Sequence, residues 1–335
     1  MAAIVFTELE GWEEDYLTQK LAGHKLELLT RPPTTSDWAN FSQAEVVSPF
    51  IYTPIKQAEM AALPNLKLIA TRSTGYDHID IATAAERGVT VCNVPYYGEN
   101  TVAEHTWALI LALSRKIFQS YERTERGNFL IDDSLRGFDL KNKILGVIGC
   151  GHIGQHVVKI ARAFEMRVLV FDPRADKALA SKFGFTYVSL DTLLKESDVI
   201  TLHAPYNERT HHLLNADNMK LIKKGAVLVN TARGGLIDTQ ALVQALANGT
   251  LAGAGLDVLE EESNIREESQ VLSPEFHKTV DYRNLIANHV LQSRDDVIIT
   301  PHNAFNSKEA IRRILDTTIE NIKSYLEGKP VNVVK

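Results

Sequence analysis

Arg233 and His302 are the two residues of this 335-residue chain best placed to do chemistry. Each follows an aliphatic run, VLVNTARGG and DDVIITPHNAF, that reads as a buried strand. Both are therefore expected at the carboxyl edge of a parallel sheet, where open α/β folds place ligands. A guanidinium beside Gly234 and Gly235, which let a ligand come close, can grip a carboxylate through two parallel hydrogen bonds that lysine cannot match. An imidazole titrates near neutrality, and Pro301 fixes the backbone ahead of it, so His302 is the best candidate among eleven histidines for moving a proton. His24, His78, His211, His212, His277 and His289 read as surface or loop positions, and His105 as helical and structural. Three acids, Glu260-Glu261-Glu262, follow the strand AGAGLDV. Such a run is ordinarily a solvated loop, and only its place in the strand order beside Arg233 and His302 gives it weight.

A second group of residues has the pattern of a dinucleotide cradle. Gly149, Gly151 and Gly154 form Gly-x-Gly-x-x-Gly between an apolar strand and an apolar-striped helix. In that context the first glycine permits a tight turn, the second lets backbone approach a pyrophosphate, and the third allows close helix–strand packing. The N–H groups at the helix start, through His152 and Ile153, then face the phosphates. Asp172 ends the next strand, 23 residues after Gly149. A carboxylate there accepts hydrogen bonds from ribose hydroxyls and repels a 2′-phosphate, which selects NAD over NADP, and Arg174 nearby softens that preference. His203 ends a strand close to this site. His152 and His156 lie four apart, but with no third ligand evident the expectation is no metal.

The elements that carry these residues alternate with clarity. Candidate strands at 4–7, 26–29, 44–48, 66–70 and 89–93, with helices at 56–63 and 79–86, describe one parallel sheet covered on both faces. A single long helix is expected over 100–126, capped by Asn100 or Thr101, as a domain connector, a subunit contact or both. Six further strands, at 143–148, 167–171, 199–203, 226–230, 253–258 and 297–300, are joined by helices at 153–164, 190–197, 215–222 and 239–248. The interval 260–296 is long, charged and less legible. A terminal helix over 309–326 is expected to pack back on the first domain.

Composition is that of an ordinary globular protein. The length favours two domains, 23 % of residues are charged, and the net charge of −6 lacks the basic footprint of a general nucleic-acid binder. Two cysteines rule out a disulfide framework and fit a reducing compartment. The acidic start MAAIVFTELEGWEEDY does not fit an ordinary signal peptide, and the longest apolar run, WALILAL, is far short of the roughly 20 residues of a membrane span. The expectation is a soluble, cytoplasmic protein with no nucleic-acid or membrane partner.

Taken together the motifs resemble the D-isomer-specific 2-hydroxyacid dehydrogenases. The resemblance runs through STGYDHID (73–80), VPYYGENTVAEH (94–105), LGVIGCGHIG (145–154), LHAP (202–205), NTARGGLID (230–238), GLDVLEEE (255–262) and TPHNAF (300–305). It implies an α/β fold of two doubly wound parallel-sheet domains with the active-site cleft between them. One is a flavodoxin-like substrate domain, built from 1–100 plus 303–335; the other is a Rossmann NAD domain over 101–302. The family spacing puts the acid at Glu262, the fifth residue after Asp257, with Glu260 and Glu261 as neighbouring registers. Ser263 replaces the proline usual in relatives, and a long insertion precedes His302; both features, with the HNAF sequence, resemble the D-lactate dehydrogenase branch.

The resemblance also implies roles. Arg233 holds the carboxylate of a 2-keto acid, and backbone N–H groups near Thr74 and Gly75 hold its other side. His302 donates a proton to the ketone, and Glu262 fixes the ring and favours its charged form. Asp257 binds the nicotinamide carboxamide, while Ala204, Pro205, Thr210, Thr231 and Ala232 line the cofactor. Phe305 and Tyr97, with Phe50 or Tyr52, form an apolar wall that suits the methyl of pyruvate, so D-lactate with pyruvate is the expected pair and a homodimer the expected assembly. Alternatives on the same scaffold are glyoxylate, hydroxypyruvate, longer 2-keto acids or phosphite, or a non-catalytic NAD-sensing interaction protein.

Overall fold

Two parallel sheets carry the chain. The computed structural model describes residues 1–262 and 281–334, which fall into two compact units, Met1–Gly98 with Asn306–Lys335, and Glu99–Phe305. The divisions expected from sequence, after 100 and before 303, are offset from these by a few residues.

In the first unit, β1 (Ala3–Phe6), β2 (Lys25–Leu28), β3 (Val46–Ser48), β4 (Leu68–Ala70) and β5 (Thr90–Cys92) pair in the order β2-β1-β3-β4-β5, all parallel. Strand side chains alternate between faces. Ile4 and Phe6 therefore join a core with Leu17 and Leu21, while Val5 points into the opposite core with Trp38, Met60 and Leu63. Helix α1 (Gly11–Lys20) lies on the first face, and α2 (Thr35–Asn40), α3 (Gln57–Ala62) and α4 (Ile81–Glu86) supply residues to the second. The C-terminal stretch returns to this unit. Its last segment bridges Cys92 through Val333, and the Val334 N–H donates to the Val91 carbonyl at 2.8 Å, which covers the β5 edge.

In the second unit, β6 (Ile144–Ile148), β7 (Arg167–Phe171), β8 (Thr186–Tyr187), β9 (Val199–Leu202), β10 (Ala226–Asn230), β11 (Leu251–Leu256) and β12 (Val297–Ile299) form one parallel sheet. Its order is β12-β11-β10-β9-β6-β7-β8, so the strand sequence reverses between β6 and β9. That reversal is the topological switch point of a dinucleotide fold. Helices α5 (Glu99–Ser114), α6 (Ile117–Glu125), α7 (His152–Ala163), α8 (Lys177–Phe183), α9 (Leu190–Glu196), α10 (Thr239–Ala247) and α11 (Tyr282–Gln292) belong to this unit, and α12 (Lys308–Leu326) to the first. Helix α5 buries most of its residues, among them Val102, Trp107, Ile110 and Leu113. Trp107 stacks on Phe164 with ring centroids 5.0 Å apart, and its Nε1 donates to the Val157 carbonyl.

The structure adds α1, α2 and α8, which the sequence reading did not name, and differs from it further along the chain. The expected helix over 100–126 is two helices, broken at Arg115-Lys116, with Lys116 left-handed at φ 53°. The Ser114 carbonyl, which would bond the N–H four residues on in a continuing helix, is taken at 2.8 Å by the N–H of Phe138. Gly137 allows this approach, since a Cβ there would lie 2.0 Å from that oxygen. The helix expected over 215–222 is only a short 3₁₀ turn, Met219–Leu221, because Asn215 and Asn218 spend their side chains on nearby backbone. Strand β8, two residues long, is too short to show a period. Helix α11 lies inside the charged interval that the sequence left unread.

Gly137→Ala is expected to lower unfolding free energy by about 1–3 kcal/mol, the usual cost of forcing an extra methyl into packed structure. Urea denaturation measures it, and an unchanged midpoint would show that the Ser114 cap does not set the α5–α6 break.

Candidate active site

The carboxyl ends of β6, β7 and β9 build a cradle. Gly149 leaves β6 at φ 89°, and its missing Cβ would sit 2.8 Å from the Ala204 nitrogen and the His203 carbonyl. A Cβ on Gly154 would meet the Gly149 carbonyl at 2.4 Å, so α7 lies hard against the turn. At Gly151, the residue before α7, a Cβ would meet nothing within 4 Å, leaving open space at the helix N-terminus beside His152 and Ile153. Asp172 lies just beyond β7; its Oδ2 accepts from the Cys150 N–H and its Oδ1 from the Arg174 N–H, both at 2.9 Å. Thr210 donates to the Pro205 carbonyl at 2.7 Å and shapes the loop after β9. A glycine turn, an open helix N-terminus and an oriented strand-end carboxylate fit a dinucleotide. The buried groups around it are held uncharged. Burial, with Asp172 adding to it, pushes the Cys150 thiol up to about 11, and burial pushes His203 down to about 3. Among the described residues no group of three or more His, Cys, Asp or Glu side chains could hold a metal ion.

The adjacent strands β10, β11 and β12 deliver the other candidates at the same sheet edge. Asn230 ends β10 and folds the turn after it, accepting from the Ala232 N–H at 3.0 Å and donating to the Arg233 carbonyl at 2.9 Å. Thr231 is tied to Thr106 of α5, hydroxyl to hydroxyl, at 2.9 Å. The half-buried Arg233 donates through Nη1 to the Ala232 carbonyl. The next residue, Gly234, lies so close to the loop after β11 that a Cβ would fall 2.1–2.3 Å from Leu259 and Glu260 backbone. The Arg233 turn and the acidic loop are thus pressed together.

That contact bears on the choice among the three acids. Glu262 Oε1 lies 2.7 Å from His302 Nδ1. Glu260 is occupied elsewhere: it lies 2.6 Å from His212 Nε2 and accepts from the Thr239 hydroxyl at 2.8 Å, bracing the start of α10. His212 is therefore not simply a surface residue. The Phe305 ring meets the His302 ring edge-on at 6.4 Å.

Asp257 organises the segment that presents His302. Three successive N–H groups converge on it: His302 donates to the Asp257 carbonyl at 2.8 Å, Asn303 to Oδ1 at 2.8 Å and Ala304 to Oδ2 at 2.9 Å. The Thr300 hydroxyl donates to Oδ1 at 2.5 Å. His105 Nε2 lies 3.0 Å from the Thr300 oxygen and 3.4 Å from Oδ1. Asp257 is 1 % exposed. Burial by itself would raise its pKa, but the hydrogen bonds from His105, Thr300 and the two N–H groups outweigh that and hold it below the ordinary aspartate value. His302 takes a left-handed φ of 52° here, a conformation a side chain adopts only when its surroundings impose it. The pattern of spaced motifs pointed to Asp257 but not to Thr300 or His105, whose link to it spans 195 residues between His105 and Thr300.

Thr74, Gly75 and Tyr97 belong to the first unit. The Thr74 carbonyl accepts from Asn93 and the Gly75 carbonyl from the Ser73 hydroxyl, so the loop's carbonyls are tied inward. The Tyr97 carbonyl accepts from Arg313. Phe50 has its ring 5.1 Å from the guanidinium of buried Arg72, and the Tyr52 N–H donates to Glu8. Ser263 and His277 lie outside the described residues.

Known proteins share this fold and much of this sequence. The family model described as "D-isomer specific 2-hydroxyacid dehydrogenase, NAD binding domain" matches residues 107–304. The chain is 39 % identical to the D-lactate dehydrogenase of Escherichia coli over 79 % of its own length and 77 % of that protein's. It is 35 % identical to a glycerate dehydrogenase of Methylorubrum extorquens, over 97 % and 90 % respectively. A crystal structure of D-lactate dehydrogenase from Aquifex aeolicus, complexed with NAD and lactic acid, superposes with a TM-score of 0.86 at 35 % identity, covering 97 % of this chain and 96 % of that one. NAD is accordingly the cofactor, and no helix among the described residues is long and apolar enough to cross a membrane. The chain belongs to the D-isomer-specific 2-hydroxyacid dehydrogenase family.

Proposed function

We propose that this dehydrogenase reduces pyruvate to D-lactate, with Arg233, Glu262 and His302 as its catalytic residues. The observation that carries the reading is the 2.7 Å contact between Glu262 and His302 Nδ1. With Nδ1 given to the carboxylate, Nε2 is the nitrogen that serves the ketone oxygen. NADH supplies the hydride that reduces the keto carbon, and His302, protonated at the outset, gives its proton to the oxygen. Glu262 keeps the ring aimed and balances its charge. Arg233 binds the substrate carboxylate by two parallel hydrogen bonds. In this reading His152, Ile153, Ala204, Pro205, Thr210, Thr231 and Ala232 contact the cofactor; Asp257, 1 % exposed, instead holds the 300–304 segment, which corrects its expected place on the carboxamide.

Phe305, whose ring edge meets His302, favours a small apolar group on the 2-carbon. Pyruvate's methyl meets this demand. The glycerate dehydrogenase relative supports hydroxypyruvate as the second reading, since a single added group shifts selectivity by only about 10–200-fold in an apolar pocket. A homodimer in the cytoplasm completes the proposal. Exposed Phe118 and Tyr121 on α6, followed by exposed Phe129, Leu130 and Ile131, form an apolar stretch suited to a second copy, and both cysteines are free thiols.

Incubated with NADH and a panel of 2-keto acids, the protein is expected to oxidise NADH fastest with pyruvate and to yield the D enantiomer. L-lactate as product, or preference for hydroxypyruvate, would displace this reading. His302→Ala is expected to cut kcat by on the order of 10²–10⁴, whereas Arg233→Lys should raise KM for pyruvate as well as slow turnover. Wild-type kinetics in either variant removes that residue from the mechanism. Light scattering should give twice the 37.3 kDa chain mass, reduced by Ile131→Asp; a monomeric wild type would refute the dimer.

A further inference from the structure

We propose that His105 is a positioning residue for His302, acting through Thr300 and Asp257. The inference rests on the reading of His302 as the proton donor. The Thr300 hydroxyl has one proton, and it is committed to Asp257 Oδ1 at 2.5 Å. Its lone pairs are then what meets His105 Nε2 at 3.0 Å, so that nitrogen must carry a hydrogen. A directed chain results: the His105 N–H donates to Thr300, with Asp257 Oδ1 a longer second acceptor at 3.4 Å, and the Thr300 O–H donates to the Asp257 carboxylate. The carboxylate in turn receives the Asn303 and Ala304 N–H groups.

Burial makes this chain consequential. Asp257 is 1 % exposed, so protein donors do for it what water would do at the surface. Without His105, Thr300 loses the partner that fixes its rotor, and its hydroxyl can turn from Oδ1 to other acceptors. The carboxylate then loses a donor and its fixed angle. The segment most exposed to that change is residues 302–304, because their three N–H groups converge on Asp257 while His302 holds a left-handed backbone. A small rotation there moves the imidazole away from the reacting oxygen while Glu262 still holds Nδ1.

His105 is a firm post for this purpose. The next residue on α5, Thr106, is bonded to Thr231, and the one after, Trp107, is buried and bonded to Val157. Adjacent residues of one helix therefore brace both catalytic segments, His105 the one bearing His302 and Thr106 the one bearing Arg233.

His105→Leu, which keeps bulk but removes the donor, is expected to lower kcat for keto-acid reduction by about 10–100-fold, the effect of losing one hydrogen bond in a charged network. NADH affinity, read by fluorescence titration, should stay within about threefold of wild type. His105→Gln, whose side-chain amide offers an N–H, should recover most of the lost rate. The decisive measurement is the double variant with His302→Ala: if His105 acts through His302, His105→Leu costs nothing further there. Undiminished kcat in His105→Leu, no recovery with Gln, or an equal extra loss in the His302→Ala background would each overturn the inference. Should His105→Leu fail to fold by circular dichroism, Thr300→Val breaks the same chain and is judged by the same double variant. Activity retained by His302→Ala alone would instead overturn the reading of His302 as the donor, so the two failures are distinguishable.

Discussion

The site depends on one buried charge. The Asp257 carboxylate sits at the end of β11, shut off from solvent, and is stabilised by donors that the protein itself must supply. A negative charge removed from water is costly unless it is saturated with hydrogen bonds. Those donors come from residues 300–304, so satisfying the charge also dictates the path of the chain around His302. The left-handed backbone at His302 follows from that demand: the turn is strained locally and held because it delivers consecutive N–H groups to Asp257. A single carboxylate thus converts an exposed strand end into a defined platform.

Sheet topology explains why so few side chains are enough. All seven strands of the second unit run parallel, so their carboxyl ends share one edge. The glycine turn and Asp172 lie at β6, β7 and β9, and Arg233, Glu262 and His302 at β10, β11 and β12, with the strand order reversing between β6 and β9, where open α/β sheets place ligands. Glu260 and Glu262, two residues apart in one acidic run, have separate tasks because the loop after β11 turns between them. One ties the loop to His212 and α10, and the other reaches the ring of His302. Charge alone would not distinguish them.

Most of the fold was legible because its signals are local. Aliphatic runs located most core strands of both sheets within a few residues, and α7 followed from the glycine motif and the apolar stripe after it. Features set by distant partners were hidden. The break between α5 and α6 depends on the N–H of Phe138 capturing the Ser114 carbonyl, and nothing in residues 100–126 announces it. The short strand β8 exists because β7 offers it an edge, and α11 lay in a charged interval where no apolar period stands out.

The linear order of residues determined the chemistry on offer: a guanidinium, an imidazole and a carboxylate run, each after a buried strand, and a glycine turn with a strand-end aspartate. Residue type and short-range spacing are enough for that, since a strand's end and a helix's start are local events. Family spacing already singled out Glu262 among the three acids, but what holds the backbone of His302 in place only the tertiary structure decided. Hydrogen-bond partnership among Glu262, Asp257, Thr300 and His105 is a matter of distances of about 3 Å across nearly two hundred residues of sequence, and such distances exist only once the sheet has assembled.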